Sequence, residues 1–166
     1  MQLFITDRVL TVSALEFRGI TVAPPPNFSD KATRILTVED FGPFRRFITS
    51  LLNERPALRV ICEAENGLEA VERAQELKPD LILMDIGLPG LNGIEAARRI
   101  RGLVPNSKII FLTQESSREV VQEAINLGAF GYVLKSEAES DLLTAVEAVL
   151  QGNPFFGSGV NGHRRE

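Results

Sequence analysis

An α/β domain, with a parallel sheet covered by helices on both faces, is the fold class that this sequence predicts. Three observations carry the prediction. From Arg34 onward, short apolar runs alternate with longer amphipathic stretches, five times over. The run Leu81-Ile82-Leu83-Met84 is apolar throughout, as a strand buried on both faces must be. Turn residues bound that run, with Pro79-Asp80 before it and Gly87, Pro89, Gly90 and Gly93 after it. Right-handed crossovers between parallel strands then leave few topologies.

The elements follow in order. The first strand is expected over 35–39 and the first helix over 42–53, with Phe44, Phe47, Ile48, Leu51 and Leu52 on one face. Arg45 and Arg46 fall on the other side and read as a solvated face. The second strand is expected over 58–62, the second helix over 67–77 and the third strand over 81–85. The third helix spans 92–101, and its Arg98, Arg99 and Arg101 read as a solvated basic patch. The fourth strand is expected over 108–112. Ser116-Ser117-Arg118-Glu119 is a Ser-x-x-Glu capping box that opens the fourth helix, and Gly128 closes it. The fifth strand is expected over 131–134. Ser136-Glu137-Ala138-Glu139 repeats the capping pattern, and the last helix runs to Gly152.

Residues 1–30 read as an N-terminal extension with short strands at 3–6 and 9–12. It ends in Pro24-Pro25-Pro26-Asn27-Phe28-Ser29-Asp30, a Pro-rich linker signal. The domain itself is expected over 31–153. Residues 154–166 are rich in Gly and Ser and read as a flexible C-terminal tail.

Composition narrows the chemistry. The 166 residues are 44% hydrophobic and 24% charged, the balance of an ordinary globular domain. A net charge of −4 makes no electrostatic case for nucleic acid. Cys62 is the single cysteine, which excludes an internal disulfide and a multi-cysteine metal site; its apolar surroundings predict a buried core thiol. His163 is the single histidine, which argues against a histidine zinc site or a Ser-His-Asp triad. No apolar stretch reaches the roughly 18 residues of a membrane span. Asp7, Arg8, Glu16 and Arg18 interrupt any signal-peptide core, so a cytoplasmic protein with no membrane partner is expected.

The carboxyl ends of the strands carry the informative residues. Parallel strands place those ends on one edge, where open α/β sheets bind ligands. Glu39-Asp40, Asp85, Thr113 and Lys135 should converge there. Clustered carboxylates repel one another unless a cation joins them. An all-oxygen donor set suits a hard divalent ion, and Mg²⁺ suits best because it needs few protein ligands. With an ammonium and a hydroxyl added, the set makes a phosphoryl-binding site. Each residue also has an ordinary explanation. Asp40 could cap the first helix, Asp85 the following turn, and Thr113 and Lys135 are common strand and surface residues. Together, in the right order, the ordinary explanation fails.

Asp85-Ile86-Gly87-Leu88-Pro89-Gly90-Leu91-Asn92-Gly93 resembles the Asp-x-x-[Met/Leu]-Pro-x-x-x-Gly loop of the receiver domains of two-component response regulators. The acidic pair after the first strand, Thr113 after the fourth, and Gly131-Tyr132-Val133-Leu134-Lys135 complete the resemblance, which covers roughly residues 34–152. The segment from Gly128 to Ser136 looks most like receivers that precede a helix-turn-helix domain. Such a domain is not expected in the short remainder, so the resemblance implies a single-domain or truncated regulator. The implied fold is flavodoxin-like and doubly wound, with five parallel strands in the order 2-1-3-4-5 and helices on both faces.

The resemblance implies roles. Asp85 would accept a phosphoryl group from a sensor histidine kinase or phosphotransfer protein. Asp40, Asp85 and the carbonyl of Gly87 would hold Mg²⁺, with Glu39 acting through water. Lys135 and Thr113 would contact the phosphoryl oxygens. The chain would assist its own phosphotransfer and autodephosphorylation without being a turnover enzyme. Thr113 and Tyr132 would form the switch, with Thr113 moving towards the new phosphoryl group and Tyr132 swinging inward, read out on the fourth helix, fifth strand and fifth helix. A phosphorylation-dependent homodimer is a further expected partner. Departures from the family pattern are Glu39 in place of the commoner Asp, the bulky Gln114 after Thr113, and Ser136 where proline often follows the lysine. The main rival is a Mg²⁺-dependent phosphohydrolase with an aspartyl nucleophile. Such enzymes usually need a second acid two residues after the nucleophile, where this chain has Gly87.

Overall fold

The computed structural model describes residues 31–161. The expected strands at 3–6 and 9–12, the proline linker and His163 lie outside the described residues. Six strands form one sheet: β1 (Thr33–Val38), β2 (Leu58–Ala64), β3 (Leu81–Met84), β4 (Lys108–Thr113), β5 (Gly131–Leu134) and β6 (Phe155–Phe156). Their order is β2-β1-β3-β4-β5-β6, and every pairing is parallel. The helices are α1 (Gly42–Asn53), α2 (Gly67–Leu77), α3 (Gly93–Leu103), α4 (Arg118–Leu127), α5 (Ala138–Leu150) and a single turn, α6 (Ser158–Asn161). The first five strands keep the expected flavodoxin-like order.

Among the described residues, the count of five strands in the sheet needs correction to six. The segment expected as a flexible tail supplies β6, whose Phe155 and Phe156 pair with Gly131 and Tyr132. The cause is apolar burial: Phe156 is 8% exposed and Val160 only 2%. Gly-rich flanks hide that signal in the sequence, because two residues are too few to show a period.

Side chains alternate across the sheet with a period of two. Leu36, Val38, Ile82, Met84 and Phe111 face α2, α3 and α4, where Ala70, Ala74, Ala96, Ala97 and Ala124 let the helices approach closely. Ile35, Leu81, Leu83, Ile110 and Leu112 face α1 and α5, packing on Ile48, Leu52, Leu142 and Val146. A sheet sandwiched in this way exposes only its strand ends, and the carboxyl ends all lie on one edge.

Two helix starts differ from expectation. At α4 the cap position is Ser117, whose side chain makes no capping bond. The Glu115 carboxylate instead accepts the N–H groups of Ser116 and Ser117, at 3.1 and 3.0 Å. At α5 a 3₁₀ turn over Lys135–Glu137 absorbs Ser136, and the helix begins only at Ala138. Both expected capping boxes therefore lose to loop geometry. Elsewhere local signals hold: Asn66 and Asn92 cap α2 and α3 by accepting from Glu69 and Glu95 N–H, each at 2.9 Å. Gly128 ends α4 at φ +89°. Cys62 is half-buried rather than fully buried, and its thiol donates to the Glu63 carbonyl. Among the described residues no helix is long and apolar enough to cross a membrane.

Candidate functional site

The strand ends open into a cavity of about 700 Å³. Glu39, Asp40, Asp85, Thr113 and Lys135, singled out from the sequence, all line it. Phe41 and Phe44 wall its α1 side, and Gln114 and Glu115 its β4 side.

Asp85 directly follows β3 and stays tied to the sheet, its N–H donating to the Val38 carbonyl at 3.0 Å. Only 6% of it is exposed. Its two oxygens are divided between two tasks. Oδ1 accepts from the Gly87 N–H at 3.2 Å and steadies the turn, while Oδ2 accepts from Lys135 Nζ at 2.8 Å. The turn that aims this carboxylate depends on Gly93, which lies so close to the Asp85 carbonyl that a Cβ there would sit 1.9 Å from the oxygen.

Glu39 is 1% exposed at the end of β1. Its Oε1 accepts from the Phe41 N–H at 3.0 Å, and its Oε2 lies 2.7 Å from Lys135 Nζ without an aligned hydrogen bond. Burial raises the Glu39 carboxyl above its ordinary range, and the Lys135 charge opposes that rise. For Lys135, burial acts to lower the pKa, but the close carboxylates of Asp85 and Glu39 outweigh it and hold the ammonium above its ordinary value. The ammonium also sits 5.0 Å from the centre of the Phe44 ring.

Asp40 is exposed and does not cap α1; the cap position is Phe41, which makes no side-chain bond. Asp40 is thereby left facing the cavity. Ligand oxygens of Glu39, Asp40 and Asp85 lie within 4.8 Å of one another. Three carboxylates facing one ammonium leave two negative charges. The donor set is all oxygen and includes the unaligned Oε2 of Glu39. It fits a divalent hard cation of the Mg²⁺ type in both charge and chemistry.

Thr113 ends β4 and is 1% exposed. Its hydroxyl oxygen accepts from the Glu115 N–H at 3.2 Å, which leaves the O–H available to donate. Tyr132, expected to swing inward on phosphorylation, already lies inside. It is fully buried, its ring is 6.2 Å from that of Phe111, and its hydroxyl donates to the Glu115 carbonyl at 2.7 Å. Burial, then the charges of Glu115 and Asp85, push its phenol above the ordinary value. The Lys135–Ser136 peptide is trans, as are all peptides among the described residues.

The expectation that Arg45 lies on a solvated face needs correction. It is not a solvated residue: its side chain is 16% exposed, and it donates to the Glu39 carbonyl at 2.6 Å. It also pairs with Glu63 at 3.3 Å and Glu65 at 2.8 Å. A single arginine on a polar helix face gives no signal of this, because its partners are about 20 residues away on β2 and the loop after it. Of the other basic residues, Arg98 pairs with Glu95 and Glu123, and Arg101 donates to the Gly128 carbonyl.

The geometry agrees with comparisons to known proteins. Residues 35–147 match the family model of the response regulator receiver domain. The transcriptional regulatory protein LnrK of Bacillus subtilis is 39% identical over 119 residues, which are 72% of this chain and 54% of LnrK. LiaR of the same organism is 36% identical over 129 residues, which are 78% of this chain and 61% of LiaR. The chain thus spans little more than half the length of these regulators. A crystal structure of a LuxR-family two-component response regulator from Aurantimonas sp. SI85-9A1 superposes with a TM-score of 0.76 at 33% identity, covering 80% of this chain and 95% of that one. The family match begins in the buried part of β1 and runs nearly to the end of α5, so it contains the whole strand-end cavity: the chain belongs to the receiver domains of two-component response regulators.

Proposed function

We propose that this chain is a phosphorylation-controlled switch in which Asp85 accepts a phosphoryl group from the phosphohistidine of a sensor kinase or phosphotransfer protein. One observation carries the reading. Asp85 is a buried carboxylate with one oxygen on Lys135, lining a cavity that also gathers Glu39, Asp40 and Thr113. An Asp85 oxygen attacks phosphorus, the phosphorus–nitrogen bond breaks, and the histidine departs with that electron pair. Glu39, Asp40, Asp85 and the Gly87 carbonyl would hold Mg²⁺, which supplies charge neutralisation for the transferring phosphoryl group. Lys135, already bonded to Asp85 Oδ2, stays beside the new acyl phosphate and offsets its charge. Thr113 supplies its free O–H to a phosphoryl oxygen. Tyr132, one strand away, reports that contact through the loop it shares with Thr113 at Glu115.

Gly87 stands two residues beyond Asp85 and offers no acid for turnover, which favours the switch over a phosphohydrolase. Full-length relatives carry more chain than is present here, so the output of any longer protein, including DNA binding through a separate domain, belongs to that chain. We also read residues 1–30 as an appended extension to the domain. The central test is incubation with acetyl phosphate, with and without Mg²⁺, read by intact mass. One phosphoryl group should add only with Mg²⁺, and Asp85→Asn should not label. Full labelling of the variant would remove Asp85 from the role.

A further inference from the structure

Arg45 does more than join α1 to the sheet. Its guanidinium donates to the carbonyl of Glu39 at 2.6 Å, and that carbonyl belongs to the peptide that joins Glu39 to Asp40. A peptide unit is planar, so holding the carbonyl restrains the plane and with it the position of the Asp40 Cα. On its other side Glu39 is held by its own N–H, which donates to the Ala64 carbonyl at 3.0 Å. The Asp40 carboxylate has no partner of its own among the described residues. It is exposed, in a short loop, and is not the helix cap. What places it beside Glu39 and Asp85 is therefore the backbone that carries it.

The guanidinium is itself fixed. Nε lies 3.3 Å from Glu63 and Nη2 2.8 Å from Glu65. Glu63 also accepts from the Thr49 hydroxyl at 2.8 Å, and the Glu65 N–H donates to Glu69 at 3.0 Å. The planar fork thus connects β2 and the loop after it to the peptide that carries the acidic pair. A lysine at this position has one charged nitrogen and cannot serve the carbonyl and two carboxylates in these directions.

We propose that Arg45 is a positioning residue for the metal-binding face of the site: by locking the 39–40 peptide it sets both carboxylates towards Asp85. This rests on the reading of Glu39, Asp40 and Asp85 as the Mg²⁺ ligands. Groups that orient metal ligands without touching the metal are typically worth about 10- to 100-fold in metal affinity. The sign of the effect separates positioning from simple charge. Arg45 is a cation near an acidic cluster, so by electrostatics alone its removal would tighten Mg²⁺ binding. Loss of positioning weakens it.

The experiment is a Mg²⁺ titration of the full chain by calorimetry, for the parent, Arg45→Lys, Arg45→Gln and Glu65→Gln, with thermal melting of each without metal. Both Arg45 variants should bind Mg²⁺ about tenfold more weakly. Glu65→Gln, which frees one anchor from an exposed position, should shift binding the same way by less. Excess Mg²⁺ should return the acetyl phosphate labelling rate of Arg45→Lys to the parent value. A purely structural role would lower melting temperatures and leave Mg²⁺ affinity unchanged, and that result overturns the proposal. Tighter binding by Arg45→Gln overturns it as well. If the parent chain binds no Mg²⁺, or Asp40→Ala binds as well as the parent, the metal reading itself falls and this inference with it.

Discussion

Gly93→Ala adds one methyl group at the place where α3 meets the end of β3. The added Cβ would lie 1.9 Å from the Asp85 carbonyl oxygen and 2.8 Å from both the Asp85 carbonyl carbon and the Ile86 Cα. Real Cβ contacts do not fall below 3.0 Å, so something must move by at least the difference, 1.1 Å. No flexible side chain can give way. All three atoms are backbone, and that backbone is held by Asp85 N–H to the Val38 carbonyl at 3.0 Å and Gly93 N–H to the Ile86 carbonyl at 2.9 Å. Overpacking of this kind costs about 3 kcal/mol at the upper end of its usual range. An alanine in a helix gains back up to about 1 kcal/mol, so the net loss should be ~2 kcal/mol. Urea unfolding should show a lower midpoint at unchanged slope. The surviving folded protein should label at Asp85 about a hundredfold more slowly, the usual consequence of an ångström of misplacement. Gly102→Ala is the matched control: same helix, same chemical change, nothing within 4 Å of the new methyl. It should gain roughly 0.5–1 kcal/mol and label normally. Parent-like stability and labelling in Gly93→Ala would refute the steric reasoning, and equal damage from Gly102→Ala would assign the effect to α3 in general.

Tyr132→Phe removes the hydroxyl bonded to the Glu115 carbonyl and keeps the buried ring. Because Glu115 is exposed, water can replace the lost donor, and urea unfolding should report a cost of about 1 kcal/mol, not the several expected for a sealed network. Glu39 binds its proton more tightly folded than unfolded, since burial raises it above its ordinary 4.5. Its stabilising contribution is therefore whole below 4.5 and is lost as pH rises through the raised value. Without Mg²⁺, the parent should lose stability relative to Glu39→Gln across that window, and a constant difference between the two would contradict the shift. Ending the chain after Asn153 removes the buried Phe156 and Val160, each worth about 1.5–3 kcal/mol of burial before ordering costs. The melting midpoint should drop clearly; an unchanged midpoint would return this segment to the status of a loose tail.

The sequence alone determined the layered parallel fold and the strand edge on which the site would form. Both rest on local signals. Periodicity marks α1 and α2 to the residue, the apolar run marks β3, and Asn92, Gly128 and the turn after Asp85 act within a few residues of themselves. Parallel strands then oblige Glu39, Asp40, Asp85, Thr113 and Lys135 to share one edge, without knowledge of a single contact. Tertiary structure decided whatever depends on partners distant in the chain. Arg45 has the same local pattern as a solvated arginine, and only Glu63, Glu65 and the Glu39 carbonyl turn it into a clamp. The expected capping serines at 116 and 136 lost to Glu115 and to a 3₁₀ turn, because the loops after β4 and β5 are shaped by the residues they pack on. Tyr132 is inside because Phe111 and the Glu115 carbonyl meet it there, and Phe155–Phe156 became a strand because β5 had an open edge to pair with. A pattern of a few residues encodes its own backbone preference. It does not encode the free energy of a contact that forms only after the chain has returned from elsewhere in the fold.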